Sequence, residues 1–250
     1  MNKKLLKEIK KDNLKIKIFT DRTAMGECAA TEAAECINTL LENKETINMV
    51  FAAAPSQNDM LEALCKKDIA WERINAFHMD EYAGLDKNHP QSFGKYLYDH
   101  IFGKVNFKSV NYISDYGEKY ADILKANHID IICLGIGENG HIAFNDPGVA
   151  DFNDPELIKK VKLDDVCRMQ QVHDGCFKTF DDVPEYALTL TVPQMFSADF
   201  LFCVVPAVTK AEAVWRTVNE EITENCPATI MRRHKGAVMY CDKDSGTKIL

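Results

Sequence analysis

The chain alternates short uncharged apolar runs with longer segments whose apolar residues recur at helical spacing. Lys15 to Thr20 (KIKIFT) alternates as a strand does, and Thr23 to Leu41 carries Ala, Glu and Leu in a helical rhythm. The strand pattern returns at Ile47 to Ala54, Arg73 to Met79, Val110 to Ile113, Ile129 to Ile136, Tyr186 to Thr191, Phe200 to Val205 and Ala237 to Cys241. Helical patterns fall between them: from Met60, over His89 to Phe102 with Pro90 in the first turn, over Glu118 to Lys125, and from Thr209 and Lys210 through Val218. Asp164 to Phe177 reads as a further helix capped by Asp164, and Pro193 to Phe196 as one short turn. This alternation predicts an α/β fold, a parallel sheet with helices on both faces, closed by Ala237 to Cys241. Val149 to Leu163 is polar and aspartate-rich and is expected as loop, within a mobile flap at about 149–180. No repeat, low-complexity tract or linker interrupts the pattern, so a single domain over 1–250 is expected.

One stretch organises the rest: Ile131 to Gly148, IICLGIGENGHIAFNDPG. Its apolar start suits a strand buried on both faces, and ligands bind beyond the carboxyl ends of such strands. His141 and Asp146 are therefore well placed for chemistry. Gly135, Gly137 and Gly140 also match the dinucleotide fingerprint, but that motif needs a helix opening at the third glycine. Only His141 to Asp146 separate Gly140 from the helix-breaking Pro147-Gly148, so the glycines are read as a tight loop that brings backbone close to a small ligand.

Other strand ends carry candidates too. Asp80 and Glu81 follow the Arg73 to Met79 strand; adjacent acids usually form a solvated loop, but the apolar approach and the following Tyr82 and Gly84 favour a pocket position for one. Ser56 lies between a strand and a helix start, the geometry of a phosphate cradle, although Ser56 or Asn58 acting as a plain helix cap is the simpler local alternative. Lys210 falls in a first helical turn, where a cation opposes the macrodipole and a bound anion would offset that cost.

A formal net charge of -8 argues against nucleic acid or an anionic membrane as the main partner. No apolar run approaches the roughly 18 residues of a membrane span. The lysine-rich start, MNKKLLKEIKKDNLK, is a basic amphipathic segment and no secretory signal. Nine cysteines, none in a C-x-x-C pair, read as reduced and mostly buried, which points to a cytoplasmic setting and away from structural zinc; no metal is expected.

The segments HMDEYAGL with HPQSF, LGIGENGHIAFNDPG, VPEYALTLT and VPAVTK resemble, in that order, the glucosamine-6-phosphate deaminase family. The resemblance implies a Rossmann-like three-layer α/β/α sandwich shared with 6-phosphogluconolactonases. It implies conversion of an amino-sugar 6-phosphate and water to a ketose 6-phosphate and ammonia, without a cofactor. By the same resemblance Asp80 matches the base that moves the C2 proton to C1, His141 the ring-opening group, and Asp146 its supporting acid, Glu in many members. Asn139 falls where members carry Asp or Asn. Ser56 and Lys210 match phosphate contacts, Gly137 and Gly140 belong to the site loop, Glu81 is counted with the substrate-binding residues, and Arg168 is the nearest candidate for the family's phosphate-binding arginine, with His173 another. The family's phosphate loop usually has two glycines before its Ser or Thr; here Ala54-Pro55 stands there, and Pro55 has no N–H to offer. Two alternatives stay open: a 6-phosphogluconolactonase, which has no use for a C2 base, and a sugar-phosphate sensor that has lost turnover. Whether the chain forms a homo-oligomer is left open.

Overall fold

The computed structural model describes residues 4–163, 165, 168, 169, 172 and 177–250. Its strands are β1 (Leu5–Lys11), β2 (Leu14–Phe19), β3 (Ile47–Phe51), β4 (Ile74–His78), β5 (Asp80–Tyr82), β6 (Ser109–Asn111), β7 (Ile131–Leu134), β8 (Ile158–Lys162), β9 (Tyr186–Leu190), β10 (Phe200–Val205) and β11 (Ala237–Asp242). Eight of them form one sheet in the order β1-β2-β11-β10-β7-β3-β4-β6. All neighbours in it are parallel except β1 and β2. The remaining three, in the order β5-β9-β8, make a small antiparallel sheet.

Strand periodicity sends alternate side chains to opposite faces, and the core divides accordingly. In β7, Ile132 and Leu134 join one cluster with Tyr120, Leu124, Ala213 and Val214. Ile131 and Cys133 join the other, with Ala29, Ala30 and Ala33 of the helix Arg22–Asn43. Helices thus cover both faces, giving the expected Rossmann-like three-layer arrangement.

Three expectations need correction. Ala237 to Cys241 does not close the sheet: β11 lies between β2 and β10, and β1 is the edge. That edge comes from the lysine-rich start of the chain, whose charged side chains guard an exposed ladder against further pairing. The stretch expected as loop over Val149 to Leu163 contains β8, where Ile158 and Val161 are buried and the intervening lysines hide a strand from a search for apolar runs. The helix expected from His89 begins at Phe93 instead, with the Ser92 hydroxyl accepting from the Lys95 N–H at 2.9 Å, and continues into a π-helical turn over Tyr98–Phe102. The helix expected over Asp164 to Phe177 lies largely outside the described residues.

The carboxyl ends of β3, β4, β7 and β10 deliver the segments 52–56, 79–80, 135–141 and 206–210 to one end of the sheet. Close packing of two helices fixes the first of these. At Gly26 in the helix Arg22–Asn43, a Cβ would lie 2.6 Å from Asp59 Cβ and 2.8 Å from the Asp59 backbone carbon. Gly26→Ala is expected to lower the unfolding free energy by about 1–3 kcal/mol through this clash. The sign opposes alanine's advantage of about 1 kcal/mol in helix propensity. Urea denaturation read by circular dichroism measures it.

Candidate active site

A cavity of about 640 Å³ opens at the carboxyl ends of the strands, and Ser56, Asp80, Gly137, His141, Asp146 and Lys210 all line it. Six residues predicted from four separate segments therefore meet at one place. Asn139 and Gly140 stand behind the lining residues, while Glu81 and Arg168 point elsewhere.

The loop after β7 is folded around its histidine. The Gly137 N–H donates to the His141 carbonyl at 2.9 Å and the Gly140 N–H to the Gly137 carbonyl at 3.0 Å. A Cβ on Gly137 would sit 2.1 Å from His141 Cε1, so only glycine lets the ring lie there. Gly140 adopts φ +85°, and a Cβ on it would meet Cys226 Sγ at 2.5 Å. No helix follows, which removes the dinucleotide reading.

His141 Nδ1 lies 2.8 Å from Asn139 Oδ1 and 3.0 Å from Asp146 Oδ1. Asn139 Nδ2 donates to the same Asp146 oxygen at 2.9 Å, and Asn139 Oδ1 also accepts the His141 backbone N–H at 3.0 Å. Facing two oxygens, Nδ1 carries the proton and Nε2 remains as the ring's free acceptor. Burial opposes ionisation of Asp146, but the hydrogen bonds from His141 and Asn139 and the charge of His141 outweigh it and hold the carboxyl below its ordinary range. Asn139 therefore orients both partners at once, which gives the residue a role that the sequence left undefined.

Asp80 and Glu81 are neighbours on β5, and strand alternation gives them opposite fates. Asp80 faces the cavity at 9% exposure, and its carboxyl accepts no hydrogen bond among the described residues. Burial, with the Glu81 charge adding to it, pushes its pKa up to about 8. Glu81 turns the other way and accepts the backbone N–H groups of Tyr82, Phe93 and Gly94 at 2.9, 3.0 and 2.9 Å. It is a buried anchor for the start of the helix Phe93–Leu97, not a cavity residue; burial raises its pKa, and these three bonds oppose the rise.

Two residues that sequence reasoning missed join Asp80 to the histidine loop. Thr189 on β9 pairs with Asp80, and its Oγ1 accepts the Phe144 N–H at 3.2 Å. Asn145 Nδ2 donates to the Leu190 and Ile142 carbonyls at 2.9 and 3.0 Å. Both lie in segments that were recognised, but only the folded register shows that they touch.

The cavity's cationic side rests on Lys210. Burial lowers its pKa, the Glu138 charge pulling it back, and no carboxylate lies within ion-pair distance of it among the described residues. Its backbone N–H is bonded to the carbonyl of Ala207, a non-glycine residue held at φ 81° with its own N–H on Asp242 Oδ2 at 3.0 Å. Ser56 lines the cavity and caps nothing: the helix Asn58–Leu64 has no side-chain cap, and Asn58 Oδ1 accepts the Tyr96 hydroxyl instead. Arg22 and Lys162 also line the cavity and were missed. Arg22 opens a helix just beyond the β2 strand end, a signal the strand-end rule could have used; its guanidinium bonds Asp59 and, at 2.5 Å, the Pro55 carbonyl. The facing wall is aromatic, with Tyr82 and Phe93 ring centroids 5.1 Å apart and Phe93 and Phe144 stacked at 5.8 Å.

Arg168 is not part of this cavity. It is 7% exposed, its guanidinium donates to the Val183 and Phe180 carbonyls at 2.8 and 3.1 Å, and it lies 4.0 Å over the Phe180 ring. His173 lies outside the described residues. At the opposite, amino-terminal end of the strands, His128, Asp130 and Asp199 cluster within 4.8 Å, with the Lys44 ammonium already bonded to Asp130 and 3.5 Å from Asp199.

A mostly parallel sheet between helical layers, with its cavity where the strands end, defines a Rossmann-like α/β protein. The family described as glucosamine-6-phosphate isomerases/6-phosphogluconolactonase matches residues 20–240. A glucosamine-6-phosphate deaminase of Bacillus cereus is 31% identical over 216 residues, 84% of this chain and 80% of its own length. One of Streptococcus agalactiae is 27% identical over 230 residues, 87% of this chain and 96% of its own. Among solved structures, a monomeric glucosamine-6-phosphate deaminase superposes with TM-score 0.81 at 23% identity, covering 93% of this chain and 98% of that one. The 6-phosphogluconolactonase of Trypanosoma brucei superposes with TM-score 0.78 at 12% identity, covering 98% and 100%. The chain belongs to the glucosamine-6-phosphate isomerase/6-phosphogluconolactonase family and is an enzyme.

The Asp80 environment has a consequence for stability. An acid whose folded pKa exceeds its unfolded value binds more protons when folded, so it costs nothing below the unfolded pKa and destabilises increasingly as pH rises to the folded one. Asp80→Asn is expected to stabilise the fold little at pH 4 and by a few kcal/mol at pH 8, the gain growing between the ordinary aspartate value near 3.8 and about 8. Denaturant titrations of both proteins across that range check it; a gain independent of pH contradicts it.

Proposed function

We propose that the protein is an amino-sugar-phosphate deaminase/isomerase, converting glucosamine 6-phosphate or a close relative and water to fructose 6-phosphate and ammonia. The observation that carries this reading is Asp80, a buried cavity carboxyl whose charge is further disfavoured by the neighbouring acid Glu81. Such a group is mostly protonated near neutral pH in the empty cavity. A substrate that brings an ammonium to the carbon beside the reacting C–H bond supplies the missing positive charge and ionises the base where it is needed. A sugar lactone carries no such cation beside its reacting carbon.

In this reading His141 acts first. Nε2 accepts the proton of the anomeric hydroxyl and returns it to the ring oxygen, so that the ring opens to the aldehyde, and the transient imidazolium is stabilised by Asp146 through Nδ1. Asp80 then takes the C2 proton while the aldehyde oxygen gains one given up by the ammonium, forming an enolamine, and Asp80 returns its proton to C1, which leaves an iminium at C2 and a hydroxymethyl group at C1. Water adds to that carbon and ammonia departs. Lys210 and Ser56 hold the phosphate, consistent with a partly desolvated ammonium that has no carboxylate partner among the described residues, beside a strand-to-helix turn.

A lactonase reading rests on the fold shared with 6-phosphogluconolactonases and on a histidine that could activate water, but it leaves Asp80 without a task. Ammonia release from glucosamine 6-phosphate, set against hydrolysis of 6-phosphogluconolactone, separates the two; binding of the amino sugar without either product would mark a sensor. Asp80→Asn is expected to lower kcat for ammonia release by about 10²–10⁴, with KM changed only severalfold. Near-normal kcat in that variant removes Asp80 from the role of base.

A further inference from the structure

The phosphate side of the cavity lacks a donor that its backbone could have supplied, since Pro55 has no N–H. The residue after Ser56 offsets this. Gln57 is fully buried, and its Nε2 lies 3.0 Å from Ser56 Oγ and 3.3 Å from the Val204 carbonyl. The carbonyl can only accept, so the amide nitrogen must face it, and the same nitrogen then faces the serine hydroxyl. Gln57 Oε1 has no hydrogen-bond partner among the described residues, so the bonds that hold the amide are those of its nitrogen. Room for the pair comes from Gly135 at the end of β7, where a Cβ would lie 2.9 Å from Gln57 Nε2 and 3.0 Å from Ser56 Oγ.

A serine hydroxyl has one proton and two lone pairs. With one lone pair occupied by the Gln57 N–H, the hydroxyl proton is free to point away from Gln57, and Ser56 lines the cavity that also holds Lys210, which has no carboxylate partner among the described residues. We propose that Gln57 is a positioning residue that sets Ser56 as a hydrogen-bond donor toward a phosphate in the cavity, in place of the N–H that Pro55 cannot give. The inference rests on the assignment of Ser56 and Lys210 to the phosphate, and it holds for any phosphate-bearing substrate of this cavity, whatever reaction follows.

Two variants test it. Gln57→Leu removes the donor. Gln57→Glu keeps the shape but turns an oxygen toward Ser56 Oγ: in the protonated form its O–H goes to the Val204 carbonyl, and in either form the serine proton is captured and lost to the phosphate. Binding of inorganic phosphate by calorimetry reads the site without any turnover, and thermal melting confirms that each variant is folded. Loss of one charge-assisted hydrogen bond is expected to weaken phosphate binding about tenfold or more. The same factor should appear in KM for glucosamine 6-phosphate, with kcat held within about twofold because ring opening and proton transfer lie elsewhere in the cavity. Combining either variant with Ser56→Ala is expected to add little to Ser56→Ala alone, since both remove the same bond. The proposal is overturned if folded Gln57→Leu and Gln57→Glu bind phosphate as the wild type does, if the Gln57 and Ser56 effects are additive, if kcat falls while KM stays, or if the wild type binds no phosphate. Failure of ammonia release alone, with phosphate binding lost as expected, counts against the deaminase reading and supports this one.

Discussion

The site depends on keeping a carboxyl group in a place that disfavours its charge. Asp80 sits where β4 passes into β5, turned into the cavity with no hydrogen-bond donor of its own among the described residues, and the Glu81 charge beside it is of the wrong sign. A buried acid in that condition is held only because the surrounding backbone leaves it no other position. Met79, just before it, accepts the Leu190 N–H at 2.8 Å, and Glu81, just after it, is fixed by three backbone donors. With both neighbours pinned and strand alternation fixing direction, the Asp80 side chain has one way to face.

The small antiparallel sheet makes this possible and couples Asp80 to the rest of the chemistry. β9 lies between β5 and β8 and touches the histidine loop through Thr189 and Asn145. The acid from one strand end and the histidine from another are thus referred to a common brace, which fixes geometry better than two independent loops. Around the cavity two electrostatic environments stand in contrast. Asp146 is stabilised as a charge by His141 and Asn139, while Asp80 is destabilised as one by burial, so the two carboxyls are pushed in opposite directions from their ordinary range.

Much of this was legible in the sequence, for identifiable reasons. The parallel strands announce themselves as short apolar runs because both faces of the main sheet are covered, and the glycine loop, His141 and Asp146 are contiguous. What was hidden depends on contacts between distant segments. β8 was lost because its solvent face is lysine, and β1 because it is an edge. Glu81 looked like a second pocket acid, although on a strand the period of two allows only one of an adjacent pair to face a cavity. Arg168 could be proposed from position alone, but its carbonyl partners Phe180 and Val183 come from a turn that only the fold brings over it. Ser56 carried two readings that local sequence could not separate; the absence of a side-chain cap on the helix Asn58–Leu64 and the place of Ser56 in the cavity wall favour the second.

The central claim is that Asp80 moves a carbon-bound proton, and glucosamine 6-phosphate deuterated at C2 tests it most directly. Magnetic resonance of the reaction should show the deuterium leaving C2 and appearing at C1 of the ketose or in water, at a rate that collapses in Asp80→Asn. Deuterium leaving C2 as fast in the variant, or a wild type that hydrolyses 6-phosphogluconolactone while the C2 deuterium stays in place, would contradict the account.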